Sequence, residues 1–346
     1  VRYCVLSRRS AAFGLCDLLR PLNYWFFAVC RRVVVSVLPM SQRFVSIILL
    51  NYNSHRFTID CVESIVAKTK GVAFEIIIVD NNSNPADVAA LETLTAQPNV
   101  RLVRSRINLG FSGGNMLGVQ AAGSQATYYY FLNNDCVLRT DVCTQLADFM
   151  DATPQAGLSG AQMFAGDGSR QQTFGYLPTL GSKLLGHGAV RRFNPALYPP
   201  LQQVYTQPVQ VPFIMGSTLF VRASAFQAIG GFDVAHFLYV EEEDLAKRLQ
   251  RAGYTAWLVP EAEYVHFTGQ STTRNYDIEK EYYISLFHYF RKYHSWPERV
   301  LFRLYYFIKN GRKFRRDPIF GRLAWFIGRG SPMRESLRYR QTIGHK

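Results

Sequence analysis

Three stretches of this chain carry side chains that could do chemistry. The first, Tyr239–Leu249, reads YVEEEDLAKRL and sets Glu241, Glu242, Glu243 and Asp244 ahead of an apolar, helix-like run. Two readings are open from the residues alone. Carboxylates in a helix's first turn suit the positive end of its macrodipole, with Leu245 and Leu249 on one face and Gly253 as a stop. Alternatively, crowding of like charges raises the pKa of at least one carboxylate, which turns a weak base into a usable one near neutral pH. The second stretch, LNNDCVL, puts Asp135 just beyond an apolar strand. An aspartate there is a turn former or helix cap, or an oxygen ligand for a hard divalent cation. The third, YVHFTGQST, holds His266 between aromatics, as a core histidine or a ligand. Asp80, closing IIIVDNN, reads on its own as an Asx-turn former.

Several common chemistries are excluded. The chain has no G-x-x-x-x-G-K-[ST], and GFSGGNMLG lacks G-x-G-x-x-G spacing, so neither a P-loop nor the dinucleotide fingerprint is present. There is no G-x-S-x-G elbow.

The elements that must hold these residues alternate in type. FVSIILLNYN and FEIIIVDNNSNP are continuous apolar runs ended by turn formers, as strands buried on both faces should be. Helical spacing over 57–68 and 85–96, a third strand at NVRLVRS, a loop entering a helix at GGNMLGVQAAG and a fourth strand at TYYYFLNNDCVL complete the first half. This alternation predicts an α/β fold, a mostly parallel sheet flanked by helices. Ligands in such sheets bind beyond the carboxyl ends of the strands, which selects the loops Asn51–Ser54, Asp80–Asn84, Asn108–Asn115 and Asn133–Cys136. Residues 164–212, rich in Gly, Pro and Gln, read as a long, partly ordered connection over the site. GSTLFVRASAFQAIGGFD reads as a strand, a short helix and a Gly-Gly turn, and YTAWLVP as a further strand.

Charge and cysteine usage narrow the class. The 346 residues carry a net charge of +14 and are 48% hydrophobic, which suits a folded chain. Residues 1–39 have a net charge of +5, residues 40–270 of −2 and residues 271–346 of +11. A nucleic-acid enzyme would bring its basic residues to the central cleft, whereas here the central candidates are acidic, so no nucleic-acid partner is expected. The six cysteines show no C-x-x-C pair and no zinc spacing, a cytoplasmic pattern. Within the leader 1–39, Arg31 and Arg32 interrupt PLNYWFFAVCRRVVVSVLP, so no run of about 18 uncharged apolar residues exists there. The leader is either interfacial or lies upstream of a natural start at Met40. In the region 272–346, YFRKYHSWPERVLFRLYYFIKNGRKFRR mixes aromatic and basic residues at helical spacing. It reads as helices lying on an anionic membrane surface, which would make the protein peripheral on the inner face of the cytoplasmic membrane, or as helices packed on the core with a solvated basic face.

The ordered set SIILLNYN, IIIVDNNS, NLGFSGGNMLG, FLNND, GGFD…FLYVEEEDLAKRLQRAGY and HFTGQS resembles the inverting glycosyltransferases of family 2, which have the GT-A fold. The likeness is greatest to bacterial rhamnosyltransferases and galactofuranosyltransferases of surface-polysaccharide assembly, and it spans about residues 44–271, within a GT-A domain set at 40–271. It implies a nucleotide-diphospho-sugar donor, dTDP-rhamnose first and a UDP-sugar second, a glycan or lipid-linked saccharide acceptor, and Mn²⁺ or Mg²⁺ as cofactor. It further implies that Asp135 and His266 hold the metal. Asn51, Asn53, Asp80, Asn82, Asn108, Gly110 and Asn133 would line the nucleotide pocket. Relatives often have Asp where this chain has Asn133. The catalytic base falls on Glu242, where Asp is commoner, and Asp244 and Glu241 would hold the helix entry. A non-catalytic GT-A scaffold is the reading of another class.

Overall fold

In the computed structural model, residues 43–195, 198–267, 275–341 and 343 are described. The leader 1–39 and the TGQST part of the His266 loop lie outside the described residues. The first apolar runs become β1 (Phe44–Asn51), β2 (Ala73–Asp80) and β3 (Val100–Arg104), joined by α1 (His55–Lys68) and α2 (Pro85–Glu92). The predicted helix at 85–96 ends as α-helix at Glu92, and Thr93–Ala96 tightens into a 3₁₀ turn. Helix α3 (Gly110–Ala121) leads to β4 (Tyr128–Asn133), β5 (Cys136–Leu138), α4 (Val142–Ala152) and β6 (Ala156–Phe164). GGNMLG is thus already helical; its entering loop lies before Gly110.

β1 pairs in parallel with β2 and β4, and β2 with β3. The register sets Asn51 beside Asp80 and Leu50 beside Asn133, so the polar strand ends open on one edge. The buried faces explain the sequence: Ile76–Val79 are fully buried because helices cover both sides of a parallel sheet.

The connection at 164–212 carries more structure than its composition suggests. It holds β7 (Phe174–Gly175), α5 (Leu180–Leu184), α6 (Gly186–Phe193) and β8 (Val209–Val211), with β9 (Phe213–Ile214) just beyond. Helix α5 starts in a capping box made by Thr179 and Ser182, the local chemistry that orders a polar stretch. Then β10 (Thr218–Arg222), α7 (Ala223–Ala228), α8 (Glu241–Arg251) and β11 (Thr255–His266) follow.

β10 runs antiparallel between β4 and β6, whereas β11 is parallel to β6 and antiparallel to β5 and β8. The nine-stranded sheet takes the order β3-β2-β1-β4-β10-β6-β11-β5, with β8 pairing on β11. The antiparallel β10 starts at the edge of polar strand ends, where Thr218 pairs with Leu132 near the end of β4, and carries the chain away from it to Arg222 beside Tyr128. Apolar cores fill both faces of the sheet. A third core joins α9 (Tyr276–Tyr293), α10 (Trp296–Gly311) and α11 (Pro318–Gly328), and it reaches Val240 and Tyr239 at the entry of α8. Phe290 and Phe302 stack there with centroids 3.7 Å apart.

Candidate active site

The acidic helix enters under strain. Tyr239 and Val240 both have left-handed backbone, φ 69° and 66°, immediately before Glu241. A β-branched residue in that region costs on the order of 1–3 kcal/mol and persists only where its surroundings hold it. Val240 is held because its side chain is buried in the third core. The turn presents Glu241–Asp244 along the first turn of α8, and the four carboxylates then differ in partners.

Asp244 is fully buried and satisfied: it accepts from Arg248 Nε at 2.7 Å, from Tyr293 Oη at 2.8 Å and from Lys292 Nζ. Burial opposes its charge, but these partners and His236 hold its carboxyl well below the usual range. Glu241, Glu242 and Glu243 go the other way, and in each the first cause is burial. Like-charge crowding, the cause expected from the sequence, comes second for Glu241 and Glu243. Glu243 is raised furthest of the adjacent Glu242–Glu243 pair. Its side chain hydrogen-bonds to Glu242, and that bond favours the ionised form of Glu242. Glu242 is thereby the less strongly raised carboxylate of the pair. Glu243 is its immediate partner.

Glu242 lies over Gly216: a Cβ built there would stand 3.6 Å from Glu242 Oε1, and the Gly216 backbone hydrogen-bonds to the carboxylate. The next residue, Ser217, accepts from the backbone N–H of Asn133 at 3.1 Å through its carbonyl. The turn before β10 therefore connects the Glu242 helix with the Asn133–Cys136 loop. Gly216 and Ser217 carry no sequence signal beyond small size, and pattern reading missed them.

In that loop Asp135 is 3% exposed, with Oδ1 3.1 Å from His266 Nε2. The pairing of His266 with Cys136 across β11 and β5 fixes this approach, and the Phe267 N–H donates to the Asp135 carbonyl at 3.0 Å. Asp135 Oδ1 and His266 Nδ1 are buried and have no hydrogen-bond partner of acceptable geometry. An orphaned carboxylate oxygen beside an imidazole nitrogen is a donor set that fits a divalent cation. Cys136 completes the geometric cluster, but its thiol is buried and donates to the Ser217 carbonyl at 3.8 Å, whereas Asp135 Oδ1 and His266 Nδ1 have no such partner.

A cleft of about 460 Å³ opens beside this loop, and Asn51, Asn108, Gly110, Asn133 and Asn134 are among its lining residues. Gly110 is required: its φ is 71°, and a Cβ would fall 2.2 Å from the Phe237 carbonyl oxygen. Asn108 Oδ1 accepts from the Gly110 N–H at 2.8 Å and shapes the entry of α3. Asn51 lines the cleft, but its amide is committed. It donates to Ser83 Oγ at 3.0 Å and to Asp87 Oδ2 at 2.5 Å, and accepts from Thr58 Oγ1 at 2.8 Å. Asp80 is buried and accepts from the Ser83 N–H at 3.3 Å, the turn-forming contact its residue type suggests. Asn53 (φ 53°) and Asn82 (φ 70°) take left-handed backbone in the flanking loops, and Asn53 Oδ1 accepts from the Asn84 N–H at 2.9 Å. Asp80, Asn53 and Asn82 are not among the residues lining the cleft. The sequence also missed the far wall, where Asn275, Ile278, Leu337 and Gln341 come from α9 and the C-terminal segment.

The family model described as glycosyl transferase family 2 matches residues 46–230. An N-acetylglucosaminyl-diphospho-decaprenol L-rhamnosyltransferase of Mycobacterium tuberculosis is 30% identical over 215 residues, covering 58% of this chain and 68% of that protein. Rhamnosyltransferase WbbL of Escherichia coli K12 is 37% identical over 68 residues, 20% of this chain and 25% of its own. Among solved structures, GalNAc-T7 with UDP, GalNAc and Mn²⁺ aligns with a TM-score of 0.51 at 14% identity. That alignment covers 70% of this chain and about half, 48%, of the other, and it supports the shared fold.

Proposed function

The chain belongs to glycosyl transferase family 2, and from that premise we propose an inverting, metal-dependent sugar transfer from a nucleoside-diphosphate donor to a hydroxyl of a growing surface glycan. L-Rhamnose from dTDP-rhamnose is the first donor candidate, in keeping with two relatives that are named rhamnosyltransferases. The mycobacterial relative's name also favours a lipid-linked saccharide acceptor, which would be met at the cytoplasmic side of a membrane. The single observation carrying this reading is the pairing of two differently prepared sites. Asp135 and His266 offer unshared ligand atoms, and Glu242 has its pKa raised yet is the carboxylate its neighbour keeps ionised.

Asp135 and His266 would hold Mn²⁺ or Mg²⁺, which would neutralise charge building on the departing diphosphate. Glu242 takes the proton from the acceptor hydroxyl. The acceptor oxygen forms its bond to the anomeric carbon while the bond to the diphosphate oxygen breaks, and the nucleoside diphosphate leaves with that electron pair. One displacement from the opposite face inverts configuration. Asn51, Asn108, Gly110 and Asn133 border the donor cleft, while the side-chain bonds of Asn51 and Asp80 position its loops.

The test is a thermal-shift and transfer screen of dTDP- and UDP-sugars with and without Mn²⁺, since a ligand that binds only the folded state raises apparent stability. A metal-dependent shift and turnover with dTDP-rhamnose are expected. Turnover with a UDP-sugar alone replaces the donor assignment. Donor binding without any transfer, unchanged in Glu242→Gln, makes the chain a non-catalytic scaffold.

A further inference from the structure

Helix α10 is apolar on two sides. Its inner side, Phe302 and Tyr306, is buried in the third core. Its outer side leaves Leu301, Leu304 and Ile308 exposed at spacings of three and four residues, which form a stripe along the helix. A groove of about 650 Å³ runs there between this stripe and Leu184 of α5, rimmed by Lys309, Arg312, Lys313 and Arg316. From Arg299 to Arg316 the chain holds no acidic residue. Leu184 and Leu185 are exposed as well, and at the end of the adjoining α6 Phe193 is 84% exposed beside exposed Arg191 and Arg192.

We infer that this face, the outer stripe of α10 with α5 and α6, docks the protein on an anionic lipid bilayer. The inference deepens the proposed function and rests on it only for the acceptor. Contiguous apolar area of this kind on a folded chain marks an interaction surface. Charge selects the occupant. A second copy would bring an equally cationic, acid-free rim against this one, whereas anionic headgroups match it. No helix among the described residues is long and apolar enough to cross a membrane, so the face lies on the bilayer with its leucines in the acyl boundary. Its position relative to the chemistry gives it a purpose. Lys183 directly precedes Leu184, which lines the groove, and acts electrostatically on Glu243, the partner of Glu242. A saccharide carried on a membrane lipid would then reach the acceptor side without leaving the surface.

The experiment is co-sedimentation of the full chain with vesicles of phosphatidylcholine alone or with about 30 mol% phosphatidylglycerol, at low and high salt. The parent should pellet with the anionic vesicles and be released by salt. Leu304→Glu/Ile308→Glu and Lys313→Glu/Arg316→Glu should each weaken that binding about tenfold or more, with unchanged thermal melting and unchanged transfer to a water-soluble acceptor. Hydrogen exchange of the parent with and without vesicles needs no variant and should show protection across 299–316. Failure of the parent to bind anionic vesicles, or full binding by both variants, overturns the inference. So does a parent dimer that the variants disperse in the absence of vesicle binding. Loss of transfer with vesicle binding intact would instead strike the proposed function alone.

Discussion

Among the described residues lie two clusters of acids and imidazoles, and they are compensated in opposite ways. Around Asp233, His236, His288 and Asp244 the protein supplies its own cations. Lys292 donates to both Asp233, at 2.7 Å, and Asp244, while His288 Nε2 lies 2.9 Å from Asp233 Oδ2 and Arg248 pairs with Asp244. Burial works against both carboxylates, yet these partners hold them well below the ordinary range. Both clusters offer ligand atoms close enough to share a metal ion, but in this one a lysine already occupies that role. Around Asp135 and His266 no lysine or arginine is paired among the described residues, and ligand atoms remain unshared. Geometry alone does not separate a structural cluster from a ligand site. The origin of the compensating charge does.

The largest expected effect tests the uncompensated cluster. Asp135→Ala should lower kcat/KM by about 10³-fold or more, the loss of several kcal/mol of charge stabilisation, and should abolish the Mn²⁺ dependence of nucleotide affinity in calorimetry. Unchanged metal-dependent affinity would remove Asp135 from the site.

Next comes the proposed base. Glu242→Gln keeps size and most hydrogen bonding but accepts no proton, so kcat should fall by about 10²–10⁴-fold while donor affinity stays near native. Because burial raises Glu242, the parent's kcat should climb with pH through that raised value, and the variant should lose this limb. A flat parent profile would argue for a different base.

For the compensated cluster the expected effect is on stability. Lys292→Met strips one shared cation from two acids and should cost about 3 kcal/mol in urea unfolding, without altering the metal dependence of donor binding. If metal dependence changes instead, the two clusters are not distinct in role.

The smallest effect separates neighbours within the acidic run. Glu243 has a raised folded pKa, so its stabilising contribution is present below the unfolded carboxylate value and is lost as pH rises through the folded one. Glu243→Gln should therefore unfold at higher urea than the parent at pH 8, by on the order of 1 kcal/mol, and match it near pH 4. Asp244 has the opposite sign: its contribution is present above the unfolded value and lost as pH falls through the lowered folded one. Transfer by Glu243→Gln should stay far above that of Glu242→Gln, since the amide can still donate to Glu242.

Much of the sheet was legible because its signals are local. Runs such as IILL before Asn51 and IIIV before Asp80 specify strands buried on both faces, and the strand ends face one edge once those strands pair in parallel. The 164–212 connection was less legible, since its order depends on the Thr179–Ser182 capping box and on packing of Leu180 with the third core. The division among four consecutive acids was illegible beyond their count. It depends on Lys292 and Tyr293, about fifty residues away along the chain, which reach Asp244 and not its neighbours.

The sequence by itself determined the alternation of strands and helices, the family, and which residue types could ligate or accept a proton, because hydrophobic period and side-chain chemistry are carried residue by residue. Only the tertiary structure decided that Asp244 is held by cations while Glu242 is buried against Gly216 and Glu243, that Gly216 and Ser217 tie α8 to the Asp135 loop, and that α9 and the C-terminal segment wall the cleft. It also decided that one face of α10 is core and the other lies bare. Those outcomes rest on burial and on partners distant in sequence, and a charge acquires its pKa from what the fold brings against it.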